Sequence, residues 1–170
     1  GIIEFGNDGS TVHELTLRAL VIGVILGALL TAANTYLGLQ LGMTVSASIP
    51  AAVLSMIILR SMRLKDVSIL ENNLVQTMAS AGESLAAGVI FTVPALLVMG
   101  MEMRLGETFI IAVFGGILGT MFTITLRRVF IVEEQLPYPE GVACREVLVA
   151  GEKGGAGMTA IIYALGLGAM

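Results

Sequence analysis

Asn72, Gln76, Ser80 and Glu83 recur at intervals of four, four and three residues, so on a helix they fall on one face, with Asn73, Thr77 and Ser84 beside them. Leu74, Val75, Met78 and Leu85 take the opposite side, and from Leu85 to Leu97 the sequence is apolar enough for lipid. A charged side chain at the centre of a lipid-facing helix costs about 2.5–3.5 kcal/mol on insertion scales, so such groups turn to a water-filled cavity or a partner. Glu83 is therefore the candidate for proton or ion coupling, since a carboxylate in such a cavity can take up and release a proton. Asn72, Asn73, Gln76 and Ser80 are candidates for lining a substrate path. Two blander readings stand beside this one: an amphipathic helix lying in the interface accounts for Asn72 and Asn73, and a structural or snorkelled acid near a helix end accounts for Glu83.

A second polar patch surrounds the first predicted turn. Asn34, Tyr36 and Gln40 precede it, and Thr44, Ser46 and Ser48 follow. Such groups at a helix break either line a cavity or cap helix ends. The segment LPYPEG places Pro137, Pro139, Glu140 and Gly141 in a stiff loop, with Pro139 suited to the first position of a helix. Glycines four apart, at 23 and 27, 38 and 42, and 115 and 119, allow helices to approach closely and imply packing rather than chemistry. GEKGGAG, residues 151–157, lacks the order of a phosphate loop and reads as a flexible linker.

The elements that must position these groups are membrane helices. Of 170 residues 56% are hydrophobic and only 13% charged, about half the charge of an ordinary soluble domain. The net charge of -4 is dispersed and offers no basic cluster for nucleic acid. With one histidine, His13, and one cysteine, Cys144, neither a disulfide nor a Cys/His metal cage can form within the chain. No HExxH or nucleophile motif is present, which argues against an intramembrane enzyme.

A polar lead-in, residues 1–13, precedes an all-α transmembrane region, residues 14–170. Ser10 or Thr11 offers a cap for the first span, expected at 15–37 with Arg18 at one end. A second span at 43–60 follows so short a linker that an antiparallel hairpin is expected. The third, 68–101, is longer than a bilayer needs, so it must break or tilt; a break near residue 82 is expected, with Gly82 and Pro94 as the plausible points. The fourth covers 108–132, and a fifth begins at about 158 and stops inside the 12-residue apolar run TAIIYALGLGAM, so the chain reads as a fragment of a longer polytopic protein. Arg60, Arg63 and Lys65 in one loop and Arg127 and Arg128 at the end of the fourth helix, against Arg104 opposite, favour a cytoplasmic N-terminus.

Three stretches, NTYLGLQLGMTVSASIPAAVLS (34–55), NNLVQTMASAGESLAAGVIFTVPAL (72–96) and EEQLPYPEGVACREVL (133–148), together resemble the oligopeptide transporter superfamily, in order as well as content. The likeness is to its prokaryotic and yellow stripe-like members; the NPG and KIPPR signatures of the peptide branch are absent, and Arg145 stands where a small residue is expected. The resemblance implies a proton-coupled secondary importer of small peptides or metal-chelate complexes. It would have about sixteen helices in the cell membrane, with no cofactor beyond the proton gradient. Its partners would be the bilayer, the remaining helices of the same transporter and, where self-association occurs, a second copy. An ion or solute channel, or a structural membrane subunit, would use the same helices and glycines.

Overall fold

A computed structural model describes residues 15–62, 67–102 and 104–153, with six further positions between 159 and 167. Its elements are helical: α1 (Leu17–Leu41), α2 (Ser48–Ser61), α3 (Ile69–Val98), α4 (Leu105–Arg127) and α5 (Pro139–Lys153), with a π-helical stretch, Arg128–Glu133, prolonging α4. Leu17–Leu41, Ile69–Val98 and Leu105–Glu133 are long and apolar enough to cross a membrane, which makes this a multi-pass protein. The lead-in with His13, Ser10 and Thr11, the loop residues Arg63 and Lys65, and most of the expected fifth span lie outside the described residues.

Local chemistry sets the helix ends. Thr16, rather than an earlier hydroxyl, caps α1 by accepting from the Ala19 N–H at 3.3 Å. Gly42 closes the same helix in the left-handed region (φ 69°), donating to the Gly38 carbonyl. Ser68 caps α3 by accepting from the Leu70 N–H at 2.9 Å, and Pro139 opens α5, where its missing N–H is no loss.

α1 and α3 run parallel, because their partners rise together along both chains: Arg18 with Glu71, Gly27 with Ala79, Asn34 with Glu83, and Gly38 with Ile90. The seam depends on glycine. A Cβ on Gly82 would lie 2.7 Å from the Thr31 hydroxyl and 3.3 Å from the Gly27 carbonyl. One on Gly38 would lie 2.6 Å from Ile90 Cδ1. Without a hydrophobic drive between helices in lipid, this close backbone packing supplies much of their affinity.

A parallel pair obliges the intervening chain to return, and residues 43–61 do so. α2 is antiparallel to α3 (Ser48 meets Ser80, Ser55 meets Asn72) and parallel to α5 (Ser48 meets Cys144, Met56 meets Gly151). Its 14 residues rise only about 21 Å. The non-helical residues 43–47 ahead of it, able to reach about 17 Å, complete the crossing. Around α2 two clusters form, one with Ala51, Leu59, Val75 and Ala79, the other with Val53, Met56, Cys144 and Leu148.

Several expectations are corrected here. α3 is a single helix through both Gly82 and Pro94, so the break expected near residue 82 is not there. Gly82 serves contact with α1 instead of flexibility. The discontinuity lies in the second span, where α1 continues to Leu41 and α2 starts at Ser48 rather than residue 43. The second helix does run antiparallel to the first, as expected, but the two pack mainly on other partners: α1 lies along α3, and α2 lies between α3 and α5. Of the supposed linker GEKGGAG, residues 151–153 form the last turn of α5, with Gly151 buried against Met56. α4 has no buried residue, and no neighbour stands near where a Cβ on its glycines would lie.

Candidate functional site

A cavity of about 1070 Å³ opens between the start of α2, the middle of α3 and the entry to α5. Thr44, Ser46 and Ser48 border it from the broken second span. Asn73, Gln76, Ser80, Glu83 and Ser84 come from α3. The loop leading into α5 brings Tyr138, and the helix itself brings Pro139, Glu140, Gly141, Cys144 and Arg145. Residues separated by nearly a hundred positions thus share one wall, because α2 packs on α3 and α5 at once.

Glu83 is 8% exposed and Asn34 4%. The Asn34 amide donates from Nδ2 to Glu83 Oε1 at 2.8 Å, while its Oδ1 accepts from the Val45 N–H at 3.1 Å. The second Glu83 oxygen has no hydrogen bond among the described residues, and the side chain borders the cavity. Ser48 and Ser80 share a 3.0 Å hydrogen bond, joining the first turn of α2 to α3.

Across the cavity, the Ser46 hydroxyl donates to the Glu140 carboxylate. Hydrogen bonds from Ser46 and then Ser48 hold Glu140 below its ordinary value, so it stays ionised. The contact places an acid beside the N-terminus of α2, whose dipole and free N–H groups favour negative charge. Cys144 behaves oppositely: burial, and secondarily the charge of Glu140, push its thiol up, so it is an unreactive wall residue. Arg145 pairs with its neighbour Glu146 and supplies the cavity's positive charge.

The sequence candidates divide. Asn73, Gln76, Ser80, Glu83, Pro139, Glu140 and Gly141 meet at the cavity, and Asn34 joins them through Glu83. Asn72 does not: it turns to α2, where it accepts from the Ser55 hydroxyl at 2.8 Å. One helical position rotates a side chain by 100°, which puts Asn73 rather than Asn72 on the cavity side. Tyr36 and Gln40 lie exposed near the end of α1, and Pro137 is exposed in the loop; none borders the cavity.

One buried acid carried no sequence expectation. Glu71, 1% exposed, receives two hydrogen bonds from Arg18, at 2.8 and 2.7 Å, and one from the Thr16 hydroxyl. Ser68, three residues ahead, caps the same turn by accepting from the Leu70 N–H. The S-x-x-E spacing of Ser68 and Glu71 was a readable sign that a helix begins there. Among the described residues no group of three or more His, Cys, Asp or Glu side chains could hold a metal ion.

Residues 14–170 match a family model described as OPT oligopeptide transporter protein. A Haemophilus influenzae protein named "Putative oligopeptide transporter" is 50% identical over 117 residues, covering 66% of this chain and 18% of that relative. The chain therefore spans well under two thirds of the relative's length. No solved structure matches it.

Proposed function

Because the chain belongs to the OPT oligopeptide transporter family, we propose that it forms part of a secondary importer in which Glu83 couples proton movement to the uptake of small peptides. The observation that carries the proposal is the setting of Glu83: buried, fastened by one oxygen to Asn34, and lining a cavity large enough for a small peptide. Gln76, Ser80, Ser46 and Asn73 offer donors and acceptors for a peptide backbone, while Glu140 and Arg145 offer opposite charges for its ends. The protein acts as a transporter and not as an enzyme, with the proton gradient as its energy source. It lies in the cell membrane with the N-terminus cytoplasmic, on the side where Arg18 and Arg60 gather. The discontinuous second span, rather than the third, is the element around which alternating access turns.

The test is uptake of a labelled tripeptide by the full-length protein in proteoliposomes. Accumulation against the gradient, abolished by a protonophore, supports the reading. Flux that only runs downhill and ignores the protonophore identifies a channel. Accumulation of a metal chelate but not of the peptide keeps the coupling and changes the cargo.

A further inference from the structure

We propose that Asn34 is a positioning residue that transmits the charge state of Glu83 to the broken stretch of the second span, residues 43–47. The inference rests on the coupling role proposed for Glu83 and adds the route by which that role reaches the backbone. Asn34 lies on α1, eleven positions before Val45 and 49 before Glu83. It does not itself line the cavity, yet it is the only described side chain hydrogen-bonded to both Glu83 and the Val45 backbone.

Its orientation is dictated by its partners. An ionised carboxylate only accepts hydrogen bonds and a backbone N–H only donates them. The amide must therefore give its NH2 to Glu83 and its oxygen to Val45, and a flipped amide would set acceptor against acceptor and donor against donor. A charged partner makes the Nδ2 to Oε1 bond roughly twice as strong as one between neutral groups. The ionised Glu83 thus clamps the amide in the orientation that satisfies the Val45 N–H, in a stretch that has no helical ladder of its own.

Protonation on the oxygen that Asn34 does not hold leaves Oε1 able to accept, so the bond survives but loses its charge assistance. The clamp on Asn34 weakens, and with it the hold on Val45. Because residues 43–47 carry Thr44 and Ser46 along the cavity wall and lead into Ser48, loosening them changes the wall that a substrate meets. Proton binding at Glu83 would then be felt about one helix away without movement of α3.

Other charges packed around Glu83 do not mimic this. On α1 the charged group is Arg18, at the far end and engaged with Glu71. α2 carries Arg60 at its distant C-terminal end, bonded to the Gly151 carbonyl. From α5, Glu140 and Arg145 share the cavity, but Glu140 is fixed to Ser46 and held in its ionised form, and Arg145 is paired with Glu146.

The test is amide hydrogen exchange of residues 43–47 in the full-length protein in lipid, followed downward from about pH 8 until Glu83 is protonated and corrected for intrinsic exchange chemistry. Wild type should lose protection there by roughly fivefold on acidification, the ratio expected when a charge-assisted bond becomes a neutral one. Glu83→Gln, which accepts without charge, should show the loosened level at every pH, and Asn34→Ala should show it with Glu83 intact. Unchanged protection along α1 and α3 certifies that these variants are folded, and the wild-type titration needs no variant. Protection in wild type that ignores pH, or a pH step that persists in Glu83→Gln, overturns the proposal. If pH-dependent uptake itself survives Glu83→Gln, the coupling role of Glu83 falls as well; if uptake depends on Glu83 while residues 43–47 stay still, only the transmission through Asn34 falls.

Discussion

Glu71 and Glu83 stand twelve residues apart on one helix, both more than nine-tenths buried, and their surroundings differ completely. Glu71 is held on both oxygens: a bidentate guanidinium and a hydroxyl donate to it. Glu83 has one amide on one oxygen, no hydrogen bond on the other among the described residues, and a place in the cavity wall. Burial alone therefore does not single out a working acid. Glu71 fastens α1 to α3 where both begin, and Glu83 keeps unused bonding capacity where a substrate would sit.

That contrast can be broken from either side. The largest effect on stability is expected for Glu71→Ala, which takes from Arg18 its main partner in a partly buried pair. Because the Arg18 side chain is 31% exposed, a loss of about 3 kcal/mol, the low end for a buried pair, read as a lower melting temperature in detergent, is the expected result. Next comes Gly82→Val, which forces side-chain atoms against Thr31 and Gly27 and should cost about 1–3 kcal/mol. The same change at Gly119 on α4, where nothing lies near, should cost this region much less. Glu83→Gln should cost under about 1 kcal/mol, since an amide still accepts from Asn34, yet it should remove the pH dependence of transport. A stability loss at Glu83 equal to that at Glu71 would erase the distinction between the two acids.

The smallest effect concerns Glu140. Its carboxyl is held below the ordinary range by Ser46 and Ser48, so what it contributes is present above its unfolded value and is lost as pH falls through the lower, folded one. Being an exposed contact, it should separate wild type from Glu140→Gln by no more than about one to two degrees in melting temperature near neutrality. The two should converge in acid, and a gap that widens on acidification would contradict the assignment.

The sequence made the helical class, the long apolar spans and the polar ladder ending at Glu83 readable, because amphipathic spacing and the cost of a charge in lipid both act locally. It also placed Pro139 at the start of a helix and brought the LPYPEG segment forward as distinctive. What it could not show were effects made by neighbours. Gly82 and Pro94 are local signs of a break, but Gly82 is held helical by the approach of α1, and a proline is tolerated where other helices support the backbone. MTVSA contains neither glycine nor proline, yet it is non-helical, with the Val45 N–H captured by Asn34 from the preceding helix. Likewise, no spacing rule says that α2 occupies the side of α3 bearing Asn72, which leaves Asn73 for the cavity.

The central claim is that Glu83 carries the proton that drives accumulation, and the most direct measurement compares two modes of transport in Glu83→Gln proteoliposomes. Peptide exchange across the membrane, which needs no net proton movement, should persist, while accumulation driven by an imposed pH gradient should vanish. Gradient-driven accumulation at the wild-type level in that variant would contradict the account.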